Sequence, residues 1–240
     1  VASVAVTGRS VSGALLAYLL VVATACGSNG ASTVFSDRSV VAVADAAAAG
    51  DASRVAELVR DGTDPSATGR RGVSLLQWAL LHRSKTGVES LLTAGADPAH
   101  TDADGASALQ YAAMADDPAY LDILLAHNAD VNEPNALDGR TPLMDALMAG
   151  RDVQFASLLH AGARLDLADR AGDTVLHLAA QTNSFRAALT LLAAGANPAA
   201  RNHQGVTFQR YLSMTPANVL TAEARSDRDA IATWLRDHGE

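Results

Sequence analysis

Two series of residues run through this chain at one nearly fixed interval, and no other feature limits its possible folds so tightly. Gly72, Gly105, Gly139, Gly172 and Gly205 lie 33, 34, 33 and 33 positions apart, and Gly62, Gly95, Asn128, Gly162 and Gly195 advance by 33, 33, 34 and 33. Repetition at this length marks an array of small units, each unable to bury its apolar face alone and stable only when stacked. One theme returns in every interval: RRGVSLLQWAL from Arg70, ADGASALQYAA from Ala103, DGRTPLMDALMAG from Asp138 and AGDTVLHLAA from Ala171. A second apolar-periodic run closing on paired leucines follows each of them.

The spelling predicts helix pairs. The first series supplies a positive-φ residue in a tight turn, after which Thr141-Pro142 starts a helix where the missing proline N–H costs nothing. The second series stands just past a second helix, where a left-handed residue stops it, and Asn128 is the one substitute. Small residues such as Ala112, Ala113, Ala179 and Ala180 allow first helices to approach closely, while the leucine pairs fill the core. With 49% hydrophobic but only 4% aromatic residues, the composition also favours helices over sheets. The expected fold is an all-α solenoid of about six helix-turn-helix units. An N-terminal cap covers 39–68, full repeats cover 69–101, 102–135, 136–168 and 169–201, and a closing unit, 202–240, carries an insertion from Met214 to Ala224 that is either a lengthened helix or a loop.

The phrase DGRTPLMDALMAG, with HLAA after Thr174-Val175-Leu176 and the closings AGADPA, HNADVN, AGARLD and AGANPA, resembles the ankyrin repeat, whose pattern contains G-x-T-P-L-H-x-A-A and ends L-L-x-x-G-A-D. The resemblance covers about Ser39 to Gly239. It implies a concave binding face formed by the turn tips and the exposed side of the first helices, and a non-enzymatic scaffold whose partner is another protein. His177 matches the consensus histidine and is expected to be structural, beside the threonine turn. Nine positions after the turn glycines stand Leu81, Met114, Met148, Gln181 and Met214, so three of the four methionines share one position. Such a row is flexible and polarizable, suited to a protein surface, although the same position could be covered by the next repeat and merely fill space. The turn tips offer Arg70, Arg71, Asp104, Asp138, Arg140, Arg170, Asp173, His203 and Gln204 around it. Trp78, Tyr111 and Tyr211, one helical turn earlier, are expected to pack between units.

Nothing in the sequence spells a catalytic site. There is no G-x-S-x-G elbow, no phosphate-cradling glycine loop and no H-E-x-x-H. The seven histidines lack metal-ligand spacing and the single cysteine is isolated, so neither a metal nor a cofactor is expected. A formal charge of −8 without a basic run gives no footprint for nucleic acid or anionic lipid.

The N-terminal stretch has a different logic. Residues 1–25 carry Arg9, an apolar run from Val11 to Val22 and the small residues Ala23-Thr24-Ala25, the layout of a secretory signal peptide. Cys26-Gly27 follows and resembles the lipobox of bacterial lipoproteins, with Ala23 where that family usually has Leu, Val or Ile. The resemblance implies a lipidated Cys26, a flexible tether over 26–38, and residence in the periplasm, anchored to the outer membrane, with the lipid as the only membrane contact. Ordinary cleavage after Ala25 and an uncleaved membrane helix are the alternatives. Two further functional readings stay open: an immunity, inhibitor or accessory protein for a specific toxin or periplasmic enzyme, and a secreted effector aimed at host proteins.

Overall fold

The computed structural model describes residues 30–239. Residues 1–25, expected to be a signal peptide, and Cys26 lie outside the described residues.

Six helix pairs follow a short leading helix. After α1 (Gly30–Val34) come α2 (Arg38–Ala49) with α3 (Ala52–Arg60), α4 (Leu75–Leu81) with α5 (Lys85–Thr93), and α6 (Ala108–Met114) with α7 (Ala119–Ala126). Then come α8 (Pro142–Ala149) with α9 (Asp152–His160), α10 (Val175–Gln181) with α11 (Phe185–Ala193), and α12 (Gln209–Leu212) with α13 (Ala222–Asp237). The first helices form an unbroken inner layer, α2 against α4, α6, α8, α10 and α12 in turn, and the second helices lie outside it. The expected all-α solenoid is therefore the observed architecture. Its core is continuous because each unit buries leucines and alanines against the next: Leu76, Ala79, Leu109, Ala112, Leu143, Ala146, Leu176 and Ala179 are all at most 1% exposed.

Both residue series do the backbone work expected of them. The turn glycines have φ between 72° and 79°, and the second series runs from 63° at Asn128 to 104° at Gly62. A third positive-φ set, Gly50, Arg83, Gly150 and Asn183, lies in the turns between paired helices and was not legible, since two of its members carry side chains. In the four middle units Ser74, Ser107, Thr141 or Thr174 caps the first helix, whereas the Asp37 carboxylate caps α2 and no side chain caps α12.

Between successive units the turns project as fingers, zipped to one another by main-chain bonds. Ala103 N donates to Arg71 O at 2.7 Å, Ala136 N to Gly105 O at 2.8 Å, Arg170 N to Asp138 O at 2.9 Å and His203 N to Ala171 O at 3.0 Å. Side chains add a second ladder. The Nε2 groups of Gln77 and Gln110 donate to Ala106 O at 2.8 Å and Arg140 O at 3.0 Å, and His177 Nε2 lies 3.2 Å from Val206 O. A carbonyl only accepts, so His177 carries its proton on Nε2, and Nδ1 accepts from Thr174 N at 3.3 Å. This is the structural role expected of His177.

One expectation is corrected at the N-terminal end, and one left open is settled at the other. Residues 30–38, expected to belong to a flexible tether, pack on the repeats: Ala31, Val34 and Phe35 are buried, and the Phe35 ring meets Trp78 edge to face with centroids 5.7 Å apart. The apolar residues in this Gly/Ser-rich stretch outweigh its flexible composition by filling the flank of the first units. At the other end the insertion is a loop over 213–221, and α13 begins after Thr221. Arg228 holds that loop by donating from Nη1 to Thr215 O at 3.1 Å.

Candidate interaction surface

The inner helices are short and packed on both flanks, so each offers little beyond its last residue. Leu81 and Met148 are half-buried, Gln181 is exposed and Met214 is 64% exposed on the insertion. Met114 departs from the row at 6% exposure. Arg151 Nε donates to Met114 O at 2.9 Å and Gln154 Nε2 to Ala115 O at 2.6 Å, so side chains of the following unit cross the end of α6. The inner face is thus an interrupted strip. Trp78 and Tyr111 are buried between units, as expected of them, and Tyr211 is half-buried.

The fingers frame this strip. Arg70 and Arg71 are exposed on the first, and Arg71 Nη2 lies 2.8 Å from the Asp104 carboxylate on the next. Arg140 Nη1 stands 3.5 Å from Asp138 within one finger. Arg170 is exposed, and its Nη2 donates to Ala136 O at 2.7 Å across to the neighbouring finger. Asp173 is not a tip residue: it is buried, accepting from Gln181 Nε2 at 2.8 Å and Asn202 Nδ2 at 2.7 Å. Its place directly after the turn glycine puts it at the finger base, where the next unit covers it.

Carboxylates at the fingers are consumed internally. Asp102 accepts from the Asp104 and Ala106 N–H groups and from the Tyr111 hydroxyl at 2.6 Å, and Asp169 accepts from the Ala171 and Asp173 N–H groups. The guanidiniums of Arg170 and Arg201 instead bond main-chain carbonyls, which leave their charge uncancelled. Guanidiniums and carboxylates therefore alternate along the fingers, and the guanidiniums of Arg170 and Arg201 have no carboxylate partner among the described residues. Sequence inspection missed Arg201, because it lies four residues before its turn glycine and falls outside the tip pair.

One buried carboxyl stands apart. Asp145 occupies the position where other units place Trp78, Tyr111 and Tyr211, and Gln110 Nε2 donates to its Oδ2 at 3.2 Å. Burial, with Asp138 adding to it, pushes this carboxyl up to about 7 against the pull of Arg140 and the Gln110 bond. No cluster of three or more His, Cys, Asp or Glu side chains able to hold a metal ion occurs among the described residues. No helix among them is long and apolar enough to cross a membrane.

Stacked helix pairs with a zipped row of fingers along one edge define a repeat scaffold. The chain belongs to the ankyrin-repeat family: a model described as ankyrin repeats (3 copies) matches residues 43–135 and 132–202. Protein PhlB of Serratia liquefaciens is 44% identical over 150 residues, which are 62% of this chain and 65% of PhlB, so the chain spans somewhat under two thirds of that relative. Inversin of Gallus gallus is 39% identical over 84 residues, 35% of this chain and 8% of inversin. Among solved structures, the ankyrin repeat domain of Bcl-3, a member of the IkappaB family, aligns with a TM-score of 0.63 and 28% identity, covering 71% of this chain and 79% of that one. The fold is that of a protein–protein interaction scaffold, typically non-enzymatic.

Proposed function

We propose that the chain holds another protein along its finger rim and inner face, without chemistry of its own, in the periplasm at the outer membrane, where a lipidated Cys26 retains it. The finger rim carries this reading. Main-chain bonds zip each finger to the next and the Asp102 and Asp169 carboxylates hold the finger turns, while the exposed guanidiniums of Arg170 and Arg201 have no carboxylate partner among the described residues. Arginine is among the residues that dominate protein interfaces. The bacterial relative with 44% identity supports the bacterial setting, and the signal-like stretch ending at Cys26 supports the envelope location.

A rigid frame of this kind can cover a partner's active surface. In that form of the proposal the chain is the immunity or accessory protein of a specific toxin or periplasmic enzyme. Crosslinked affinity capture from periplasm identifies the partner, whose own activity then changes on binding. Met148→Glu combined with Gln181→Glu should weaken capture about tenfold or more with helical content and melting temperature retained; capture unaffected by these and by every finger variant would refute the scaffold reading. Cys26→Ser should release the protein from the membrane fraction, and continued tight association would refute the lipid anchor.

A further inference from the structure

The two residue series place an extra residue in the same short stretch, since the 34-residue steps, Gly105 to Gly139 and Asn128 to Gly162, overlap only between 128 and 139. The structure locates it. Four fingers close with a bond between residues four apart (Gly69 N to Val73 O, Asp102 to Ala106, Asp169 to Asp173, Asn202 to Val206), whereas the finger of the fourth unit closes across five, Asn135 N to Arg140 O at 2.7 Å. The longer loop puts Leu137 at its tip, 54% exposed.

An exposed leucine alone signifies little. What distinguishes Leu137 is how firmly it is held. Asn135 Oδ1 accepts from Leu137 N at 2.8 Å and Asp138 N at 3.1 Å, while Asn135 Nδ2 donates to Asp104 O at 3.2 Å. On the preceding side the leucine lies over Gly105, so closely that a Cβ added there would stand 2.9 Å from Leu137 Cγ. On the following side Arg170 Nη2 bonds Ala136 O at 2.7 Å, setting a charged guanidinium against the peptide that leads into Leu137. A group fixed before encounter loses little conformational freedom on binding, and that cost is among the larger ones opposing association.

We infer that this finger is the centre of the interface: Leu137 packs on an apolar side chain of a partner protein segment, and Arg170 pairs with a carboxylate beside it. The inference rests on the scaffold reading and specifies the partner's chemistry, an apolar segment flanked by Asp or Glu. Arg201, bonded only to Gly205 O in the next finger, extends the same demand for acidic groups.

A phage-displayed library of short random peptides, panned against the folded chain, tests it. Enriched peptides should combine an apolar residue with Asp or Glu. Their affinity should fall about tenfold or more with Leu137→Asp and with Arg170→Glu, while Val153→Asp, at a residue 59% exposed on α9 outside the fingers, leaves it unchanged. Lysine replacing the peptide's acidic residue should restore binding to the Arg170→Glu chain. Both finger variants should keep the wild-type melting temperature. Peptides without acidic residues, or binding indifferent to both finger variants, would overturn the inference. Binding that responds only to Met148→Glu and Gln181→Glu sinks it while leaving the scaffold reading intact, whereas absence of any binder counts against both.

Discussion

The fourth and fifth units share a threonine cap, a positive-φ turn glycine and a packed inner helix, yet each is tied to its successor in the stack by different means. In the fifth, His177 receives the N–H of Thr174 and reaches Val206 O of the next finger. In the fourth, Met144 holds the equivalent position and has no polar group to reach with, and the adjacent aromatic site is filled by Asp145, which is 7% exposed. The period dictates backbone and core alike in both units, because those are what stacking needs. Polar couplings between units are chosen one joint at a time, and the joint after the fourth unit is the least bonded of the interior ones.

The largest test of that contrast is Asp145. Its carboxyl is raised from an ordinary 3.8 to about 7, so the folded chain favours the protonated form. This contribution is fully present below pH 3.8 and is lost as pH rises to about 7, at a cost of about 4 kcal/mol when complete. Urea midpoints measured from about pH 4 to about pH 8 should therefore show a decline that Asp145→Asn removes; parallel curves for the two proteins would contradict it. Next comes Gly105→Ala. A Cβ there would meet Leu137 N at 2.7 Å and Asn135 Oδ1 at 2.8 Å, while at Gly195, also at positive φ, nothing lies within 4 Å. Strain alone should cost the Gly195 variant about 1 kcal/mol, and collision with the fourth finger should bring the Gly105 variant to about 3 kcal/mol. Equal melting temperatures would mean that the finger yields freely.

His177→Leu should destabilise by about 2 kcal/mol, because the buried Thr174 N loses its acceptor and the bond that joins the fifth unit to Val206 O is removed. The smallest effect is a gain. Met144→Gln places at the fourth unit the group that Gln77 and Gln110 use, aimed at Asp173 O, and should add about 1 kcal/mol in denaturant titration. No gain there would show that the fourth joint differs in geometry as well as in chemistry.

How far the sequence reaches depends on what repeats. The turn glycines, the helix stops and the structural role of His177 are legible because every unit needs them and spells them alike. Leu137 is announced only as a lengthened step, with no indication of which residue stands at the tip. The burial of Met114 depends on Arg151 and Gln154, side chains from the next unit whose reach no periodicity reports. Asp145, inside PLMDALMAG, reads as an ordinary polar position until packing encloses it. Ala31, Val34 and Phe35 were hidden by glycine and serine neighbours, although their apolar side chains were in plain view.

The sixteen-residue α13 carries a consequence for assembly. It buries Ile231 and Leu235 against the stack and fastens Asp227 to Arg186 of α11 at 3.0 Å. A molecule shorn of that helix would bare a raw apolar facet at one pole, facing away from α2 at the other. Unlike ends that adhere do not close into a dimer; they add molecule after molecule in a line. The helix is in that sense a stopper against filaments, and light scattering of a chain cut before Thr221 would reveal their growth.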